Sequence, residues 1–358
     1  MARIVGAIGT SHSPMLSIPG ETWSEYGRAD TRRADLTYAP DGLVLSYSEG
    51  VRRSEMLLRD RRKDTATHVA QYQRCRAALE LLAADLARLD PDIVVMVSDD
   101  QGEWFYDDNM PMFSIFWGDS VPLVPRPPTP GRSAELDRMI AAGYGDVAMD
   151  VPVASELARY LLSYLVDHDF DIAQSAYLNE QYGGRVSLRL AGPDGPVEVP
   201  RELGKRRQGL PHGFSFVIKN LLGNRPRPIV PVSQNTCYPP NAVSPRRAYA
   251  LGRALGQAVA EWEADTSVVF VASGGLSHFV TDEELDRKLL DAITRGDADV
   301  LRSLPRQRLY SGTSESLNWV TVAGAMTAAE QKFEVVDYVP VYRTDAGTGG
   351  GWAFGHWL

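Results

Sequence analysis

The chain has 358 residues, of which 44% are hydrophobic and 23% are charged, and its formal net charge is −9 at pH 7. This composition is that of an ordinary globular protein, and the acidic balance argues against a nucleic-acid-binding surface, which needs a basic face. Its 2 cysteines are too few for a disulfide framework, and no apolar run approaches the roughly 20 residues that span a bilayer. We therefore expect a cytoplasmic protein, mature from its first residue, without a membrane partner.

The first predicted strand is short and ends in a polar loop. Residues 4–8 are apolar and lead directly into the loop of residues 9–14, which contains His12. In open α/β sheets, ligands bind beyond the carboxyl ends of the strands. His12 is therefore a candidate site residue, with a hydrogen-bonded loop histidine as the alternative.

Residues 19–90 are expected to form a helical elaboration of the fold. Residues 19–68 are charged and rich in arginine, and residues 69–89 have the apolar spacing of an amphipathic helix. We expect this segment to pack outside the sheet, as a lid, a subunit contact or a solvated face.

The next strand is followed by a cluster of polar side chains. Residues 93–97 are apolar and rich in valine, which is typical of a strand buried on both faces. Residues 98–103 then bring Asp99, Asp100, Gln101 and Glu103 to the strand end. Buried carboxylates need solvent, a cation or hydrogen-bond donors, so both a metal site and a capped loop fit this pattern.

Strands and helices alternate through the rest of the chain. Strands are predicted at residues 112–117, 170–176, 229–233 and 267–272, helices at 153–165, 246–262, 282–295, 297–303 and 314–331, and a surface hairpin at 183–202. Residues 121–131 are interpreted as a proline-rich connection, and the glycine-rich tail 342–351 as too flexible for the core. This order predicts one α/β domain over residues 1–358, with a mixed, largely parallel sheet and helices on both faces.

Polar residues at the strand ends and helix starts suggest a metal centre. The candidates are His12, Asp100 or Gln101, His278, Glu315 at a helix start, and His212 in a loop. A mononuclear non-haem iron(II) site generally takes two imidazoles and one carboxylate, and a further histidine can act as acid or base. No fixed spacing links these residues, so their types alone do not decide the chemistry.

Six segments, taken in order along the chain, form a more specific pattern. They are residues 6–14, residues 91–116, Pro211-His212-Gly213-Phe214, Gly274-Gly275-Leu276-Ser277-His278, residues 311–319 and the glycine-rich end. With these segments the chain resembles, over nearly its whole length, the class III extradiol ring-cleavage dioxygenases, the superfamily of the protocatechuate 4,5-dioxygenase β subunit.

The resemblance assigns a role to each matching residue. It makes His12 and Glu315 iron ligands and His278 the acid/base that serves the substrate hydroxyl. His212 matches a second active-site histidine that orients substrate or bound oxygen. Gln101 stands where the family's Asn-Asp-His pattern has its second imidazole ligand.

Three outcomes follow from the glutamine at this position. In the first, Gln101 coordinates the metal through its amide oxygen. In the second, Asp100 or Glu103 replaces it as the ligand and adds negative charge. In the third, the metal is absent. An added carboxylate would favour manganese or magnesium. Strand alternation is expected to point Asp99 and Gln101 to one side and Asp100 to the other.

The function implied by the resemblance is that of an iron(II)-dependent extradiol dioxygenase. Such an enzyme opens a catecholic or related aromatic ring with dioxygen. Mn(II) or another divalent metal is the alternative cofactor, Tyr238 and Phe214 are expected to hold the ring, and a homo-oligomer is expected. A metal-dependent hydrolase or lyase with an altered ligand set is the alternative function, and a non-catalytic binding protein is a third reading.

Overall fold

A computed structural model describes residues 1–126, 128, 132–179, 183–204 and 209–358. The strands are β1 (Arg3–Thr10), β2 (Leu36–Tyr38), β3 (Leu43–Leu45), β4 (Ile93–Asp99), β5 (Phe113–Phe116), β6 (Ser120–Leu123), β7 (Met149–Pro152), β8 (Ala173–Ser175), β9 (Gly184–Leu190), β10 (Val197–Leu203), β11 (Ile229–Gln234), β12 (Ser267–Ser273), β13 (Phe333–Tyr342) and β14 (Gly349–Trp357). The helices are α1 (Trp23–Gly27), α2 (Tyr47–Ser54), α3 (Thr65–Leu89), α4 (Ala134–Gly143), α5 (Ser155–Asp167), α6 (His212–Asn220), α7 (Pro245–Glu261), α8 (Glu283–Arg295), α9 (Ala298–Arg302) and α10 (Ser316–Ala325). Within these ranges, no helix combines the length and the apolar character needed to cross a membrane.

One 8-stranded sheet organises the molecule, in the order β13-β14-β1-β12-β4-β11-β5-β8. Its centre is parallel, because β12 pairs in parallel with both β1 and β4, and β4 pairs in parallel with β11. The edges include antiparallel pairs, formed by β14 with β1 and by β5 with β11. The predicted fold class, a mixed and largely parallel sheet, is confirmed.

Helices cover both faces of this sheet. Along β4, Val95 and Val97 belong to one hydrophobic cluster, which includes residues of α5, α7, α8 and α10. Val94 and Met96 belong to a second cluster, which includes residues of α3, α4 and α6. The unbroken apolar run of β4 is thereby explained, because its side chains are buried on both faces. The single domain over residues 1–358 and the homo-oligomer stay predictions.

The carboxyl ends of the central strands meet at one edge of the sheet. Thr10 at the end of β1 pairs with Ser273 at the end of β12, and Asp99 at the end of β4 pairs with Gln234 at the end of β11. The loops that follow these four strands therefore converge, as expected for parallel strands.

The glycine-rich tail is not flexible, and this expectation is wrong. Tyr342 ends β13, Gly349 begins β14, and residues 343–348 connect the two strands. These strands pair with each other at one side of the sheet, and β14 also pairs with β1. Glycine is needed for close packing here, since a Cβ on Gly351 would lie 1.9 Å from Asp286 Oδ2. The glycines therefore mark close packing, although their number suggested a mobile segment.

Two further expectations differ from the structure. The predicted helix 314–331 is shorter, because α10 ends at Ala325 and is followed by a 3-10 turn at Met326–Ala328. The proline-rich connection 121–131 begins in β6, which pairs with β7, whereas residues 127 and 129–131 lie outside the described part of the chain. The hairpin at 183–202 is confirmed as β9 and β10.

Helix α10 is held against α7 by glycine contacts. A Cβ on Gly252 would lie 1.8 Å from the carbonyl oxygen of Thr321, and one on Gly256 would lie 2.2 Å from that of Ala325. The two backbones approach closely only because side chains are absent at these positions. This contact fixes the position of α10, and therefore that of Glu315 at its N-terminus.

We expect Gly252→Ala to lower the free energy of unfolding by about 1–3 kcal/mol, because the added methyl group overpacks the contact between α7 and α10. Alanine is the better helix former by about 1 kcal/mol, so any loss of stability measures the clash. Urea unfolding checks this, with the exposed Gln257→Ala on the same helix as the control. A Gly252→Ala protein as stable as the wild type would contradict the role of this contact.

Candidate active site

A cavity of about 380 Å³ lies where the strand ends converge. This volume is within the range of small-molecule sites. Seven residues named by the sequence line it: His12, Gln101, Glu103, His212, Tyr238, His278 and Glu315. The structure therefore brings together most of the predicted site.

His12 follows β1 and is oriented by Ser273 at the end of β12. Its Nδ1 lies 3.0 Å from Ser273 Oγ, and that hydroxyl donates its hydrogen to the carbonyl oxygen of Gly213 at 2.7 Å. The His12 Nδ1 must therefore be the donor, which leaves Nε2 of the neutral ring without a hydrogen. Nε2 lies 3.0 Å from Glu315 Oε2.

The buried Nε2 of His12 has no hydrogen-bond partner within the described ranges. Burial lowers the pKa of His12, but the charge of Glu315 raises it more, so the pKa lies above its usual value. A bare nitrogen that faces a carboxylate oxygen calls for a cation, either a proton or a metal. The pair of His12 and Glu315 therefore fits a metal ion.

Glu315 lies at the N-terminus of α10, and its carboxylate is buried among donors. Oε1 accepts a hydrogen bond from Gln101 Nε2 at 2.8 Å, and His278 Nε2 lies 3.1 Å from the same oxygen. Oε2 accepts the N–H of Gly275 at 2.8 Å. Burial raises the pKa of Glu315, but the histidine charges lower it more, so the pKa lies well below its usual value. Glu315 is therefore an anionic group at the centre of the site and a candidate metal ligand.

His212 is the first residue of α6 and is held by Glu103. The Nδ1 atom of His212 lies 2.8 Å from Glu103 Oε2, and its backbone N–H also donates to that carboxylate. Arg126 Nη2 donates to the other oxygen at 2.6 Å. Burial raises the pKa of Glu103, yet the charges of His212 and Arg126 hold it far below its usual range. Glu103 therefore accepts, and His212 Nδ1 donates.

A glycine allows α6 to begin this close to the strand ends. A Cβ on Gly213 would lie 2.0 Å from Ser98 Oγ and 2.9 Å from the ring of His12. The rings of His12 and His212 meet edge to face, with their centroids 4.6 Å apart. One potential ligand atom from each of His12, His212 and Glu315 lies within 4.8 Å of the others.

His278 lies beside this group in the loop after β12. Its Nδ1 lies 2.9 Å from the carbonyl oxygen of Leu276, which can only accept, so Nδ1 carries a hydrogen. The preceding Ser277 is fixed by Asp286, which accepts both its N–H at 2.7 Å and its hydroxyl at 2.6 Å. The Nε2 of His278 faces Glu315 Oε1 at 3.1 Å.

Gln101 and Asp100 point in opposite directions, as strand alternation predicts. The amide nitrogen of Gln101 donates to Glu315 and, at 3.1 Å, to Asp99 Oδ2. Asp100 instead accepts the backbone N–H groups of residues 103–105 and is not among the residues that line the cavity. The structure places Asp100 as the cap of this loop, which does not fit its expected role as a replacement ligand.

The two aromatic candidates have different positions. Tyr238 lines the cavity. Phe214 does not, because its side chain is fully buried and is stacked on Trp104 with the ring centroids 6.0 Å apart. The expectation that Phe214 contacts the substrate is therefore corrected, because Phe214 supports the site from the core.

Sequence reasoning missed the basic side chains around the cavity. Five arginines line it, namely Arg33, Arg126, Arg132, Arg201 and Arg343. They come from distant parts of the chain, and only the arginine-rich composition of residues 19–68 pointed to one of them. Arg201 is the one for which no ion pair is found among the described residues, whereas the other four pair with carboxylates.

Comparison with known proteins shows to which family the chain belongs. A family model described as the catalytic LigB subunit of aromatic ring-opening dioxygenase matches residues 63–349. A 2,3-dihydroxyphenylpropionate/2,3-dihydroxicinnamic acid 1,2-dioxygenase of Burkholderia vietnamiensis is 30% identical over 212 residues, which are 59% of this chain and 49% of that protein. The protein of the same name from Paraburkholderia xenovorans is 29% identical over 211 residues, with the same shares of 59% and 49%.

The chain spans about half the length of these curated relatives. The family match, in contrast, covers well over half of the chain and includes Gln101, His212, His278 and Glu315. The chain therefore belongs to the family of the catalytic LigB subunit of aromatic ring-opening dioxygenase.

Proposed function

We propose that this protein is an iron(II)-dependent dioxygenase that opens a catecholic ring next to its hydroxyl groups. The observation that carries the proposal is the buried carboxylate of Glu315, which faces the bare Nε2 of His12 at 3.0 Å and His278 Nε2 at 3.1 Å. This arrangement offers ligands for a cation and an acid/base group beside it. Family membership supports ring opening as the reaction.

His12 and Glu315 would hold the metal, and their orientation is fixed before it binds. When bound, iron(II) supplies the one-electron chemistry that joins dioxygen to an aromatic ring. Ser273 fixes the ring of His12, and the N–H of Gly275 fixes the Glu315 carboxylate. Such outer partners commonly determine metal affinity.

His278 would move the substrate proton. The carbonyl oxygen of Leu276 keeps a hydrogen on Nδ1, so Nε2 is the atom that accepts the proton of a ring hydroxyl and later returns it. Glu315 stabilises the positive charge that the ring then carries, because its carboxylate lies at hydrogen-bond distance.

The basic lining of the cavity suits a catechol with an acidic substituent. Arg201, on β10, forms no ion pair with any residue in the described ranges and lines the cavity. An arginine without a carboxylate partner is free to bind the carboxylate of a substrate. The two relatives are named for such compounds, since dihydroxyphenylpropionate carries a carboxylate.

The anaerobically iron-loaded protein is expected to consume oxygen when 2,3-dihydroxyphenylpropionate, protocatechuate or catechol is added. The metal-free protein is expected to be inactive and to recover when iron(II) is restored, because the ligands alone supply no redox chemistry. An oxygen electrode measures the uptake, and absorbance follows the loss of the aromatic ring. Turnover of these compounds without oxygen, with another metal bound, would instead favour a hydrolase or lyase.

His278→Gln is expected to lower kcat about 10²–10⁴-fold, the usual contribution of an acid/base group. Iron content is expected to stay at the wild-type level, because His278 is not one of the three residues whose potential ligand atoms lie within 4.8 Å of one another. Oxygen uptake and iron analysis on the same sample check both values. His68→Gln is a suitable control, since the buried His68 is hydrogen-bonded to the carbonyl oxygen of Tyr342 and does not line the cavity. Unchanged kcat in His278→Gln would refute the role.

Arg201→Met is expected to raise KM for 2,3-dihydroxyphenylpropionate about 10-fold, the effect of losing one hydrogen bond to a charged group. KM for catechol, which lacks an acidic substituent, is expected to stay the same. Arg185→Met removes an arginine of the neighbouring strand β9 that does not line the cavity and is the matched control. Equal effects on both substrates would contradict the assignment.

A further inference from the structure

We propose that His212 is the second imidazole ligand of the metal, in place of the histidine that Gln101 replaces. Glu103, with Arg126 behind it, is the positioning residue that holds His212 for this task. The inference rests on the proposed function in one respect, since it requires that a metal binds at His12 and Glu315. It differs from the ligand set expected from the resemblance, in which Gln101 binds the metal and His212 acts on the substrate.

The first observation is the position of His212. Its ligand atom lies within 4.8 Å of those of His12 and Glu315, so one ion can contact all three after small side-chain movements. Both rings are buried, and they meet edge to face with centroids 4.6 Å apart. Together the three residues give two imidazoles and one carboxylate, the set that suits non-haem iron(II).

The second observation is the protonation that the partners impose on both rings. Ser273 Oγ accepts a hydrogen bond from His12 Nδ1, and the Glu103 carboxylate accepts one from His212 Nδ1. Each neutral ring therefore has its lone pair on Nε2. A carboxylate behind a metal-binding histidine fixes its tautomer and makes the imidazole a stronger donor.

The third observation concerns the amide of Gln101. Its nitrogen donates to Asp99 Oδ2 at 3.1 Å and to Glu315 Oε1 at 2.8 Å. Turning the amide would place its oxygen against two carboxylates, which is unfavourable in a buried site. Gln101 therefore holds two neighbouring acidic groups in place, and its oxygen is directed away from them.

The glutamine that replaces the family's ligand and the glutamate that positions His212 lie in one short loop. Gln101 occupies the position where the family has a ligand, and Glu103, two residues later, holds His212 through its side chain and its backbone N–H. Arg126 pairs with the same carboxylate at 2.6 Å and so fixes its position. The loop that lacks the imidazole thus provides the group that positions another.

X-ray absorption spectroscopy of the anaerobic, iron(II)-loaded protein tests the assignment, because imidazole ligands can be counted from the spectrum. The wild type is expected to show two imidazoles, His212→Ala one, and Gln101→Ala two. Glu103→Gln is expected to weaken iron(II) binding about 10–100-fold, the usual effect of losing a partner behind a ligand. His356→Ala is the control, because His356 also pairs with a carboxylate, Asp85 at 2.7 Å, but does not line the cavity.

A rescue variant guards against a folding defect in His212→Ala. If the lost ligand is the only defect, His212→Ala combined with Gln101→His is expected to return to two imidazoles and to recover iron(II) affinity. Far-ultraviolet circular dichroism of the metal-free variants shows whether each has folded.

The outcomes separate this inference from the proposed function. Two imidazoles in folded His212→Ala, with oxygen uptake by the wild type intact, would overturn the role of His212 alone. Loss of an imidazole in His278→Gln would do the same, since His278 would then be the ligand. A wild type that binds no iron(II) and consumes no oxygen would overturn both proposals.

Discussion

The buried carboxylate of Glu315 is the constraint on which the site depends. A carboxylate removed from water is costly unless charges and donors surround it, and here they come from His12, Gln101, Gly275 and His278. These groups follow three different strands, β1, β4 and β12, so the parallel centre of the sheet is what makes their convergence possible. The glycine contact between α7 and α10 completes the arrangement by fixing the helix that carries Glu315.

Much of this arrangement could be predicted from the sequence, because it depends on local patterns. The apolar run of β4 and the histidine after β1 identified the sheet and the edge at which ligands bind. The alternation of side chains at the end of β4 correctly separated Gln101 from Asp100. The resemblance to the extradiol dioxygenases then selected His278 and Glu315 as candidates from an otherwise undecided set. The family match agrees with the resemblance itself.

What could not be predicted depends on contacts between distant residues. The tail of glycines resembles a flexible segment in composition, but its meaning is set by Asp286, whose carboxylate lies where a side chain on Gly351 would be. Phe214 has the residue type of a substrate contact, and only its packing on Trp104 shows that it faces the core. The pairing of Glu103 with His212 joins residues 109 positions apart, so no local pattern announces it.

The wide separation of the proposed ligands in the chain also affects when the centre can form. His12 and Glu315, which face each other at 3.0 Å, lie near opposite ends of the chain, and contacts of such separation form late because long loops must close first. During synthesis, a metal ion could meet all the proposed ligands only after α10 has left the ribosome and packed on α7. Loading of the proposed centre would therefore follow folding, and a bound ion would then stabilise the native chain by mass action.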